Sequence, residues 1–131
     1  MNNALIYWIN KKQTSIETSS YESEFTLLNH CCESLRGLRF KLLMMGIPVE
    51  LPSFIFGDNK SVLINSTTPH SVLKKKSCAI SYHFVREGTS NDEWRVDYIK
   101  TDDNCADLLS KPIYGRIKRN RLIGMILHHL D

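Results

Sequence analysis

Three carboxylates, Glu24, Asp58 and Asp107, have the type and setting to do chemistry together. Hard cations such as Mg²⁺ take oxygen ligands, and one or two carboxylates plus substrate phosphate oxygens suffice for each ion. Acidic residues on separate elements are therefore what two-metal phosphodiester cleavage requires. One ion lowers the pKa of an attacking water, and the other stabilises the leaving oxygen of an in-line displacement. Glu24 precedes Leu28 by four positions and follows Tyr21 by three, so it borders an apolar helical stripe, whereas Glu22 is better placed to cap a helix. Caps and surface charges also use such residues, and spacing alone does not separate these roles.

Other groups narrow the setting. Lys74, Lys75 and Lys76 form one basic run, and Arg116, Lys118, Arg119 and Arg121 a second, within a formal net charge of only +3. Such clusters either hold phosphate backbones or form a solvated face. Cys31, Cys32, Cys78 and Cys105 form no CxxC pair and follow no secretion signal, which fits a reduced compartment and a role as small core residues. His70, His83, His128 and His129 read as structural or surface residues. The apolar stretch Ala4 to Ile9 is too short to span a bilayer, so no membrane association is expected.

The elements that must position the carboxylates follow from patterning. The 131 residues suffice for one domain, and 42% hydrophobic with 24% charged residues is globular rather than disordered. Ala4 to Ile9 is rich in β-formers and reads as a strand, with a weaker extended piece around Gln13 to Glu17. Ser19 with Glu22 gives a capping-box pattern that opens a long helix carrying Phe25, Leu28, Cys32, Leu35, Leu38, Leu42 and Met45, stopped by Gly46 and Pro48. Ser53 to Phe56 predicts a short buried strand that delivers Asp58 at its end, and Asn59 or Asp58 can cap a helix through Ser61, Val62 and Ile64. Ser77 can cap a helix from Cys78 to about Glu87, closed by Gly88. Glu93 to Lys100 alternates as a strand, with Trp94, Val96 and Tyr98 on one side. Thr101 or Asp102 can cap a helix holding Ala106, Leu108 and Leu109 and ending at Pro112, and Ile113 to Leu130 has helical spacing. The order strand, long helix, strand, helices, strand, helix implies a mixed α/β domain, whose chemistry gathers at strand carboxyl ends and helix starts.

Several blocks together resemble the ribonuclease H domain at the C-terminal end of copia-type retrotransposon polyproteins. YWINKKQTSIETSSYESEF (Tyr7 to Phe25) is similar to the family's W-x-S-K-K-Q and S-S-T-E-A-E-Y stretches, and places Glu24, not Glu22, as the metal-binding glutamate. FGDNKSVLINSTTPH (Phe56 to His70) resembles D-N-x-S-A-I and places Asp58 as a metal-binding aspartate. ISYHFVRE (Ile80 to Glu87) resembles I-x-Y-H-F-I-R-E, and VDYIKTDDNCADLLSKPI (Val96 to Ile113) resembles V-x-T-x-x-Q-x-A-D-I-L-T-K-P-L, with Asp107 as the final metal-binding aspartate. The resemblance runs in consistent order from about Leu5 to Ile113.

It implies a ribonuclease H-like α/β fold, a mixed sheet with flanking helices lacking the first two strands, in residues 1–112, followed by a basic helix in 113–131. It further implies two Mg²⁺ or Mn²⁺ ions on Glu24, Asp58 and Asp107, an RNA/DNA hybrid held with help from Asn59, Lys74, Lys75 and Lys76, and hydrolysis of the RNA strand. The expected partner is the reverse transcriptase portion of the polyprotein, in a cytoplasmic virus-like particle or the nucleus. Three departures stand against it. The family's first metal-binding aspartate lies on an earlier strand, and residues before Tyr7 do not replace it. Ser77 stands where histidine is usual. IKTDDNC lacks the histidine that some cellular ribonucleases H carry near the last aspartate. The expectation is thus a fragment inactive by itself, or a non-catalytic nucleic-acid- or polymerase-binding remnant. An integrase-like core would order its acids Asp, Asp, Glu; here the order is Glu, Asp, Asp.

Overall fold

Where the apolar stripes fall decides which elements form and which stay bare. The structure is a computed structural model that describes residues 5–10, 20–67 and 79–127. Helix α1 spans Ser20–Met44, strand β1 Ser53–Gly57, helix α2 Lys60–Thr67, helix α3 Ala79–Ser90 and strand β2 Trp94–Tyr98; a 3₁₀ turn at Thr101–Asp103, helix α4 at Asp107–Ser110 and helix α5 at Arg116–Ile126 follow. They form two compact units, one within Glu17–Tyr98 and the other made of Met1–Ile16 with Ile99–Asp131.

In the first unit β1 and β2 pair in parallel, with Ser53 opposite Trp94 and Gly57 opposite Tyr98. Parallel neighbours need a long crossover, supplied here by a connection that carries α2 and α3. The chain is therefore mixed α/β. The stripe on α1 docks as its spacing predicts: Phe25, Leu28 and Cys32 are buried and join Ile55, Val62, Tyr82, Val85 and Trp94 in one core. The stripe then runs out of cover, because Leu38 and Leu42 are half-buried and Met45 is exposed. Gly46 ends the helix at φ +76°, and the Ile47 and Gly46 amides donate to the carbonyls of Leu42 and Leu43, each at 2.9 Å. That pair of bonds satisfies carbonyls a helix end otherwise leaves open.

Four sequence-based expectations change. Leu5 to Asn10 is neither strand nor helix, and its apolar residues are exposed. A strand is completed by a neighbour's amides and carbonyls, and the described sheet has only β1 and β2. Gly88 does not stop α3; it lies inside the helix, buried under the Trp94 indole, where a Cβ would stand 2.0 Å from Cζ2. Its role is close approach. The helix ends later, at Ser90, and the chain then turns at Asp92 in the left-handed region with φ +54°, where the Glu93 amide reaches the Gly88 carbonyl at 2.9 Å. Thr101 and Asp102 belong to the 3₁₀ turn rather than capping α4; the Asn104 side chain accepts from the Ala106 amide at 3.1 Å instead. Of the described cysteines only Cys32 is core, since Cys31 is exposed and Cys105 half-buried. The Ser19 and Ser77 caps, the extended piece at Gln13 to Glu17 and Cys78 lie outside the described residues.

Candidate functional site

Asp58 owes its place to β1. The strand buries Ile55 and leaves Phe54 and Phe56 exposed, and the chain then turns, so that Asp58 follows the carboxyl end, half-buried. Asn59 begins the next helix. Its side-chain oxygen accepts from the amides of Ser61 at 3.0 Å and Val62 at 3.3 Å, and its carbonyl accepts from Leu63 at 3.2 Å. This N-cap fixes the turn that carries Asp58. Glu24 sits in the second turn of α1, half-buried, beside Phe25, whose ring stacks on Tyr82 with centroids 3.9 Å apart. Both Glu24 and Asp58 lie in the first unit.

Asp107 lies in the second unit, as the first residue of α4, and is the buried charged residue of the described chain, at 6% exposure. Burying a carboxylate is costly unless it is paired. Lys111 supplies the counter-charge, its Nζ 3.0 Å from Oδ1 one turn along the helix. Within each unit, among the described residues, three or more His, Cys, Asp or Glu side chains do not gather into a metal-holding group.

The basic residues divide. Lys74, Lys75 and Lys76, with His70, His128 and His129, lie outside the described residues, and His83 is exposed. On α5, Lys118 Nζ meets Asp102 at 2.8 Å and Arg121 meets Asp103 at 2.5 Å, while Arg116 and Arg119 are exposed. The Lys118 hydrogen bond, with its charge, holds the Asp102 carboxyl below its usual pKa. Half of this cluster thus fastens its own unit.

Sequence reasoning passed over Lys111, although the four-residue step from Asp107 was available as a signal. It also passed over a cleft of about 290 Å³ at the carboxyl end of β2, lined by Lys60, Leu63, Ile64, Val96, Asp97 and Tyr98. No pattern in the chain marks that cleft, because its lining comes from α2 and β2, which the crossover brings together.

With that geometry, the chain is an α/β protein built on a small parallel sheet, and its homologues are retrovirus-related Pol polyproteins from transposons. It is 31% identical over 123 residues, 92% of its length, to the retrovirus-related Pol polyprotein from transposon RE2 of Arabidopsis thaliana. It is 31% identical over 108 residues to that from transposon RE1 of the same plant, and 24% identical over 108 residues to that from transposon TNT 1-94 of Nicotiana tabacum. The chain spans only 7–8% of the length of these curated relatives. No family model and no solved structure matches it. Among the described residues no helix is long and apolar enough to cross a membrane.

Proposed function

We propose that this chain is part of a transposon ribonuclease that hydrolyses the RNA strand of RNA/DNA hybrids, working beside the reverse transcriptase portion of a Pol polyprotein in a virus-like particle. The observation that carries the reading is Asp107: a carboxylate kept buried and charge-balanced, in a segment homologous to Pol polyproteins. Its balance by a cation is a requirement that a divalent ion also meets. Carboxylate oxygens are the donors that Mg²⁺ or Mn²⁺ takes. By the resemblance, Glu24, Asp58 and Asp107 are the residues that would hold such ions, which when bound supply an activated water and stabilise the leaving oxygen.

The chain's own residues do the rest. Asn59 fixes the turn bearing Asp58. Arg116 and Arg119, with Lys74, Lys75 and Lys76, attract the hybrid's phosphates, a contribution that weakens with salt. The resemblance also implies a further metal-binding aspartate, on an earlier strand.

A second reading, binding without catalysis, is favoured by the Asp107–Lys111 pair, in which a lysine already meets the buried carboxylate. Titrating Mn²⁺ into the chain calorimetrically, while following a labelled hybrid by anisotropy and by gel, separates the two. The ribonuclease reading expects Mn²⁺ binding that weakens at least tenfold in Asp58→Asn and Asp107→Asn. Hybrid binding indifferent to chelator and to both amides would sink it in favour of the binding module. Cleavage by the 131 residues that Asp58→Asn abolishes would uphold the ribonuclease and overturn the expected inactivity.

A further inference from the structure

We infer that the cleft between α2 and β2 is a nucleotide subsite, in which Lys60 takes a backbone phosphate and the Tyr98 ring stacks on the adjoining base. It rests on the nucleic-acid reading above and adds residues which that reading does not use.

The cleft opens at the carboxyl end of β2, the side of a parallel sheet on which α/β proteins bind their ligands. Its floor is apolar, from Leu63, Ile64 and Val96, and its rim carries one cation, one carboxylate and one ring. Lys60 Nζ rests over the Tyr98 ring, 4.6 Å from the centroid. Lys60 is also the first residue of α2, where the helix dipole disfavours a cation. The Ser61 and Val62 amides are already taken by the Asn59 side chain, so the ammonium, rather than those amides, is the phosphate's partner.

A phosphate would draw the ammonium off the ring, relieve its clash with the dipole and bare the ring of Tyr98, a residue already 39% exposed. Stacking on an aromatic ring is tolerant of base identity. The Asp97 carboxylate accepts from the Tyr98 amide at 2.7 Å, which fixes the backbone beneath the ring and leaves lone pairs for a sugar hydroxyl or base amino group.

The test is the affinity of the full chain for a labelled RNA/DNA hybrid and for single-stranded RNA, each across a salt series, with circular dichroism confirming that every variant folds. Lys60→Gln is expected to reduce the slope of log affinity against log salt by about 0.7–0.9, the value of one phosphate contact. Tyr98→Leu is expected to weaken binding roughly tenfold at unchanged slope, while Tyr98→Phe, which keeps the ring, binds like the parent. Hybrid binding unaltered by Lys60→Gln and Tyr98→Leu overturns the subsite and leaves the ribonuclease reading standing. Binding of single strands but not hybrid, with both variant effects, upholds the subsite and sinks that reading. Binding of neither ligand by the parent chain overturns both.

Discussion

The two units are held by different forces. In Glu17–Tyr98, eight buried side chains from α1, β1, α2, α3 and β2 touch in one core, and polar contacts are fitted around it. Arg36 on α1 bonds Glu93 through two nitrogens at 2.7 Å while its guanidinium lies over the rings of Phe84 and Trp94. The Trp94 indole N–H finds the Val85 carbonyl at 3.1 Å. Among the described residues of the second unit Leu122 is the buried apolar one, and the fastening is ionic: Lys118 to Asp102, Arg121 to Asp103 and Lys111 to Asp107. Apolar burial carries no charge to screen or titrate, whereas ion pairs open to solvent are weakened by screening and by titration. The candidate ligands Glu24 and Asp58 therefore stand on the firmer unit, and Asp107 on the one whose integrity depends on conditions.

The largest expected effect breaks the first unit at Trp94. Truncation to alanine should cost about 3–5 kcal/mol, the usual range for deleting a buried aromatic, and Gly88→Ala about 1–3 kcal/mol by forcing a methyl into the indole. Urea unfolding followed by far-ultraviolet circular dichroism checks both, and a loss below about 1 kcal/mol for Trp94→Ala would contradict the core described above. Next, Arg36→Met removes a bidentate pair that is a quarter to a third exposed. A loss of about 1–2 kcal/mol is expected after allowing for solvent screening. An unchanged urea midpoint would show that neither the ion pair nor the guanidinium's place over Phe84 and Trp94 adds to what the apolar part of the side chain already gives.

The smallest effect belongs to the second unit. Because Lys118 lowers the Asp102 pKa in the folded chain, the contribution is complete above the unfolded value near 3.8 and is lost as pH falls through the lower folded value. The protection of α5 amides, taken against the intrinsic exchange rate at each pH, should therefore fall below about pH 4, and also in about 1 M salt, where screening reaches ~3 Å, while β1 and β2 stay protected. An equal loss of protection in both units would erase the contrast.

The sequence reading succeeded where one local rule decides. The α1 stripe, the Gly46 stop, the Asn59 cap and the alternation from Trp94 are local patterns, and each is found. It failed where a distant partner decides. Leu5 to Ile9 has strand composition but pairs with no described strand, and Gly88 reads as a stop until Trp94 is seen above it. At the site, the position of Asp58 after a strand was legible from Phe54, Ile55 and Phe56. The burial of Asp107 was not, because an acidic residue in a short polar-flanked helix looks like a surface charge until its neighbours are placed. The resemblance to polyproteins fixed the choice of Glu24 over Glu22, towards which the helical spacing leans and which burial, half for both, does not make.

The parallel pairing of β1 with β2 also sets an order of events. β1 is complete at Gly57, yet its partner residues begin at Trp94, so the sheet cannot close until the segment through α2 and α3 has been made and gathered. The indole bond to Val85 and the seat on Gly88 attach the start of β2 to α3, contacts that need only the short stretch from Val85 to Trp94 and not β1. On a ribosome, α1 and β1 would emerge with their apolar faces unmatched and wait for α3, an interval in which a chaperone would find Phe25, Leu28 and Ile55 accessible.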